Sequence, residues 1–175
     1  MRYSTRLSDA LHILMLIQLS GDDVLTSKAI ANSVYTNPSY VRTLMAKMKA
    51  AGLITSSQGS AGALLARPAE EISMLDVYRA LEGNKRLLHL DTHVNPQCES
   101  GVFIQLAVQN AYNDIQNVLE GKMAAISLAS LSQMFQRQVK DALEDAPTIE
   151  DAVASAIARL QAAEQASASP THVIP

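Results

Sequence analysis

The chain has 175 residues with 14 Lys or Arg against 17 Asp or Glu, a formal net charge of −3, which leaves room for one compact domain with an appendage. Aromatics make up 4% of it and tryptophan is absent, while alanine, leucine, isoleucine and methionine dominate the apolar half, so helices are favoured over a β sandwich. The sole cysteine, Cys98, excludes an internal disulfide framework; with no stretch near the roughly 20 apolar residues of a membrane span, and no signal-cleavage pattern after Met1 to Arg6, cytoplasmic location is expected.

In chain order, Ser8 is placed to cap a helix through Leu19 whose apolar positions nearly surround the axis, and Gly21-Asp22-Asp23 makes a turn. Thr26 or Ser27 caps a short helix over Lys28–Ser33, and Val34-Tyr35-Thr36 has the length of a tight interhelical turn. Asn37 is a good N-cap and Pro38 suits the first helical position. Val41, Leu44, Met45 and Met48 then recur at helical spacing until Gly52 stops the pattern. A short helix, a turn and a second amphipathic helix spell a helix-turn-helix, with Asn37–Ala51 in the recognition position. Leu53–Ser56 and Ala63–Ala66 have strand character around a small, flexible tip, Gln58–Gly62, which makes a wing.

Beyond Pro68, Ser73 and Asp76 form a capping box for a helix that reaches Leu81 and ends at Gly83. Residues 87–100 read as a loop. From about Gly101 a long helical stripe of Ile104, Val108, Ala111, Ile115 and Val118 runs to about Ala125, a length that suits dimerisation. Ser127 caps a helix through Leu143, and Thr148 with Asp151 caps another from Ile149 to about Gln165, leaving 166–175 as a disordered tail. The expected fold is mainly α, a winged helix-turn-helix DNA-binding domain over 1–83, a connecting loop and dimerisation helices over 84–135, and a helical extension with a tail over 136–175.

Charge is distributed to match. Residues 1–67 hold seven Lys or Arg against three Asp, a balance of +4, and the remainder is −7. DNA affinity follows local cation density and not global charge. Ser39, Tyr40, Arg42 and Thr43 lie near the start of the recognition helix, where side chains reach base edges or phosphates in a major groove. Arg42 can pair with guanine through two hydrogen bonds. Thr26, Ser27, Lys28, Arg2 and Lys47 are candidates for the phosphate backbone. In the wing, Ser57, Gln58 and Ser60 offer polar contacts, and Gly59 and Gly62 permit close approach to the backbone or minor groove. The plainer alternatives are an ordinary solvated helix and a simple hairpin turn.

No glycine-rich phosphate loop and no histidine–acid–nucleophile grouping stands out, so no catalytic residues and no enzyme activity are expected. His89, Asp91, His93 and Cys98 match no strong metal motif, and no metal or cofactor is expected. Cys98 is a candidate thiol sensor because a helix starts close by, although an inert cysteine is the plainer reading.

A wider set of residues carries a family likeness. Arg2-Tyr3-Ser4, Ile30-Ala31, Pro38-Ser39-Tyr40-Val41, Met48 through Ile54, Gly59, Gly62, Pro68 and the run from Glu70 to Gly83 occur in an order and spacing that resemble the Rrf-two family of bacterial winged-helix regulators. Asn95-Pro96-Gln97-Cys98 and Ile126 to Leu131 extend the likeness over roughly 1–135, and it is strongest to the cluster-free, YwnA-like members. The resemblance implies a homodimeric repressor whose long helix crosses its partner's, and whose two recognition helices enter successive major grooves of a pseudo-palindromic operator in double-stranded DNA. Control by a small-molecule or protein effector, or by thiol chemistry, acting on the spacing of these helices is expected. Three departures stand out: Ala63 where a second glycine is usual, Gln58 in place of an arginine with Arg42 where some members are acidic, and one cysteine where cluster-binding members have three. The alternatives these leave open are a winged-helix protein-interaction module and a thiol- or metal-responsive sensor.

Overall fold

The computed structural model describes residues 5–21, 25–56, 62–86, 88–91 and 93–168. Along the chain run α1 (Arg6–Ser20), α2 (Ser27–Val34), α3 (Pro38–Ala50), β1 (Ile54–Ser56), β2 (Ala63–Leu65), a 3-10 turn (Ala69–Glu71), α4 (Met74–Glu82), α5 (Glu99–Ala125), α6 (Leu128–Glu144) and α7 (Ile149–Ala168). Two compact units divide at Leu131 and Ser132.

In the first unit α1 is the central beam. It buries Ala10, Ile13, Leu14 and Ile17 against Ile30 and Ala31 of α2 and Val41, Leu44 and Met48 of α3. Leu53, Ile54, Ile72, Val77 and Leu81 close the same core. Each such aliphatic side chain contributes about 1.5–3 kcal/mol by leaving water, an upper figure because the unfolded chain is itself partly collapsed. A smaller cluster of Leu75, Tyr78 and Met123 joins α4 to α5, and Arg79 adds an ion pair to Glu120 at 2.8 Å.

The wing is an antiparallel pair in the register Ile54–Leu65, Thr55–Leu64 and Ser56–Ala63. Its tip, with the candidate residues Ser57, Gln58, Gly59 and Ser60, lies outside the described residues, as does Arg2. The start of α4 is held twice. Ser73 Oγ accepts from the Asp76 amide at 3.1 Å, and Asp76 accepts from the Ser73 amide at 2.9 Å, the reciprocal box the sequence spells. Alongside, Met74 N donates to Ile126 O and Leu128 N to Ile72 O, each at 2.8 Å, so the α5–α6 turn is laced to the entrance of α4.

Several expected boundaries move. Ser8 does not cap α1; the helix starts at Arg6, and Ser8 Oγ donates to Thr5 O at 2.7 Å. Thr5, at φ −83° and ψ 0°, is already close to helical, so it makes no side-chain cap bond, and its hydroxyl donates to Asp9 Oδ2. Helix α5 begins at Glu99, ahead of Gly101, behind a Cys98 that supplies no side-chain cap. Helix α7 runs three residues past Gln165 to Ala168, shortening the expected tail, and 169–175 lie outside the described residues.

In the second unit α7 starts on a Thr148 cap, with the Asp151 amide donating to Thr148 Oγ1 at 3.1 Å and Thr148 Oγ1 to Asp151 Oδ2 at 2.7 Å. Ala152 is buried, while Ile149, Val153, Ile157 and Leu160 stand exposed. No helix among the described residues is long and apolar enough to cross a membrane.

Candidate nucleic-acid interface

Helices α2 and α3 are each started by a side chain. Thr26 Oγ1 accepts from the Ala29 amide at 3.2 Å. Asn37 Oδ1 accepts from the Tyr40 amide at 2.8 Å, ahead of Pro38 at the first helical position. These bonds satisfy amides that a helix start leaves without partners. Between the two helices the chain reverses at Tyr35, whose backbone is left-handed with φ 56° and ψ 52°, and its amide donates to Ala31 O. The Thr36 amide donates to the same carbonyl at 2.9 Å.

Because Val41, Leu44 and Met48 face the core, helical geometry turns Ser39, Arg42 and Thr43 outward, and all three are exposed. Arg42 Nη1 donates to Ser27 Oγ at 3.2 Å, which brings the recognition-helix cation beside the start of α2. Lys28 is exposed one residue further on. Thr26, Ser27, Lys28, Ser39, Arg42 and Thr43 thus come from the α2 start and the outer side of α3, as a helix-turn-helix requires. Thr43 Oγ1 donates to Ser39 O at 3.0 Å, a bond within the helix that leaves the oxygen able to accept.

Two candidates are tied to helices outside the helix-turn-helix. Tyr40 is half-buried and its hydroxyl donates to Asp9 Oδ2 at 2.8 Å, so it braces α3 against α1. Lys47 Nζ donates to Leu81 O at 2.8 Å, where a cation meets the carbonyl-rich end of α4. Neither partner was legible from spacing, because both bonds join residues more than thirty positions apart. Tyr35, in the interhelical turn the sequence indicates, is 97% exposed; its left-handed backbone has no signal in the sequence, since neither glycine nor asparagine stands there.

A short helix, a reversed turn, a capped second helix with an outward polar and cationic side, and a two-stranded wing together define a winged helix-turn-helix DNA-binding protein. Residues 3–134 match the Rrf2 family, described as iron-dependent transcriptional regulators. YwnA of Bacillus subtilis, named as an HTH-type transcriptional regulator, is 38% identical over 125 residues, which take 71% of this chain and 92% of that protein. A crystal structure described as that of a DNA-binding protein is 36% identical with a TM-score of 0.60, covering 73% of this chain and 98% of that one. The oxidized form of CymR from Staphylococcus aureus is 25% identical with a TM-score of 0.58, covering 75% of this chain and 95% of that one. The chain belongs to the Rrf2 family and is a DNA-binding transcriptional regulator.

The family's description includes iron, and the donors on this chain can be set against it. Cys98 is the only cysteine, and iron–sulfur clusters are held by several thiolates, with histidine replacing some of them in certain centres. Among the described residues no three His, Cys, Asp or Glu side chains converge on one point. Asp91 instead pairs with His93 Nδ1 at 2.9 Å on the surface, and Cys98 is exposed at the start of α5.

Proposed function

We propose that the protein is a cytoplasmic repressor that binds a pseudo-palindromic operator as a homodimer, with one α3 in the major groove of each half-site. The observation that carries this is the outward side of α3, where Ser39, Arg42 and Thr43 are exposed next to Ser27 and Lys28 at the start of α2. Arginine at a recognition-helix start reads guanine, and the flanking hydroxyls and lysine hold the phosphates.

Homodimerisation is supported by α5. Ile104, Val108, Ala111, Ile115 and Val118 form one stripe along it, and Ile104, Ile115 and Val118 are 54–66% exposed. An apolar helix face of this length is costly in water and is covered in a dimer. The effector is a small molecule or a protein that shifts the spacing of the two recognition helices.

Footprinting on DNA taken from upstream of the protein's own coding sequence tests this reading. Two protected patches about 34 Å apart, one helical turn, with two chains per duplex are expected. A single patch occupied by one chain would contradict the dimeric operator reading.

A further inference from the structure

Three of the tight turns that end helices in this fold are made by glycine, with Gly21, Gly52 and Gly83 holding φ between 57° and 69° after α1, α3 and α4. The turn after α2 is made by Tyr35 at φ 56°, the one non-glycine residue with positive φ among those described. In that conformation a Cβ crowds the neighbouring carbonyl, so a bulky side chain is disfavoured relative to glycine. Tyr35 recovers nothing by packing, since it is 97% exposed and belongs to neither core cluster.

Its location suggests where the strain is offset. Tyr35 stands two residues before Asn37, the cap of α3. The two amide bonds to Ala31 O fix the turn, and with it the root of the tyrosine side chain, relative to the recognition helix. Tyr35, Thr36 and Asn37 border an open depression shared with Thr5 and Tyr40. Strained residues persist where they serve a function, and this one presents a long, rigid hydrogen-bond donor to solvent beside the DNA-binding helix.

We propose that Tyr35 is a DNA-contact residue whose hydroxyl donates to a phosphate oxygen bordering the groove that α3 enters, with the strain of the free protein offset in the complex. The inference rests on α3 being the recognition helix. Tyrosine hydroxyls are common phosphate donors, and such a contact fixes register without reading sequence.

Full-length wild type, Tyr35→Gly and Tyr35→Phe are compared by thermal unfolding and by titration against the upstream duplex and an unrelated duplex of equal length. Tyr35→Gly is expected to melt about 2–4 °C higher as strain is relieved, yet to bind both duplexes about tenfold more weakly, as loss of a charge-assisted hydrogen bond requires. Tyr35→Phe is expected to leave the melting temperature unchanged and to lose most of the same affinity. If wild type binds and either variant binds within twofold of it, the phosphate contact is overturned. A lower melting temperature for Tyr35→Gly would show that the tyrosine serves the free fold, and overturns the strain argument. Wild type that binds neither duplex would sink the recognition-helix reading itself, and this inference with it.

Discussion

The Tyr40 hydroxyl donates to Asp9 Oδ2 at 2.8 Å and so fastens the first turn of α3 to the first turn of α1. The same carboxylate oxygen accepts from Thr5 Oγ1 at 3.2 Å. The recognition helix is thereby oriented by a polar strut at its N-terminal end and by Val41, Leu44 and Met48 along its inner side.

Removing that strut is expected to loosen α3 without unfolding it. Tyr40→Phe should cost about 1 kcal/mol, a drop of about 2–4 °C in melting temperature for a chain of this size. The phenol is held above its ordinary value of 10.0, first by burial and then by the hydrogen bond and charge of Asp9, with Arg6 opposing. The neutral phenol is therefore favoured in the folded state, and its contribution is complete below about pH 10 and lost as pH rises through the folded value. Thermal unfolding at rising alkaline pH should fall more steeply for wild type than for Tyr40→Phe. Some slope should remain in the variant, because burial also raises Tyr78. Equal slopes would contradict the assignment.

At the entrance of α4 the sign is opposite. Burial pushes the Asp76 carboxyl up, but the Ser73 amide and hydroxyl, followed by Arg67 and Arg79, outweigh it and hold the group below 3.8. Its stabilisation is present above the ordinary carboxylate value and lost as pH falls through the lower folded value. Ser73→Ala removes one arm of the box and should cost about 1 kcal/mol at neutral pH. Asp76→Asn should be less stable at neutral pH and should lose less further stability below about pH 4 than wild type does. Acid titration of both proteins by circular dichroism reads the difference directly.

Arg42 distinguishes base reading from phosphate holding. Arg42→Ala should weaken binding to the upstream duplex about tenfold to a hundredfold, and binding to unrelated DNA by less, because a two-bond contact to guanine is worth about 1–3 kcal/mol of discrimination. Equal losses on both duplexes would assign Arg42 to the phosphates. Ser27→Ala, which removes the bond at 3.2 Å to Arg42, should produce a smaller loss in the same direction.

On α5, Ile115→Glu places a charge in the middle of the exposed stripe. The single chain keeps its fold, since the residue is not part of either core cluster. Analytical ultracentrifugation should show a dimer for wild type and a monomer for the variant. DNA affinity should fall about a hundredfold or more as the two half-sites cease to be bound together. A variant that sediments as a dimer would place the interface elsewhere.

What was legible in the sequence was what short-range chemistry decides. Asn37-Pro38 and the pair Ser73 and Asp76 announce helix starts because cap and amide lie within one turn, and both starts are found where they were expected. The wing strands were legible from β-branched and apolar residues flanking a glycine-containing tip. The start of α1 was misread because Ser8 has the chemistry of a cap, yet Thr5 is already close to helical and Ser8 bonds back to it. The start of α5 leaves no mark in the sequence, because Cys98 gives no side-chain cap. In the site, the outward residues of α3 followed from its apolar spacing. The bonds of Tyr40 and Lys47 to other helices did not, because Asp9 and Leu81 reach them only through tertiary packing.

The central claim, that this chain recognises a DNA sequence through α3, is tested most directly by titrating the purified protein against its own upstream duplex and a length-matched unrelated duplex at two salt concentrations. Tighter binding to the upstream duplex, with both affinities falling as salt rises, is the predicted result. Absence of binding to either duplex, or binding that ignores salt, would contradict it.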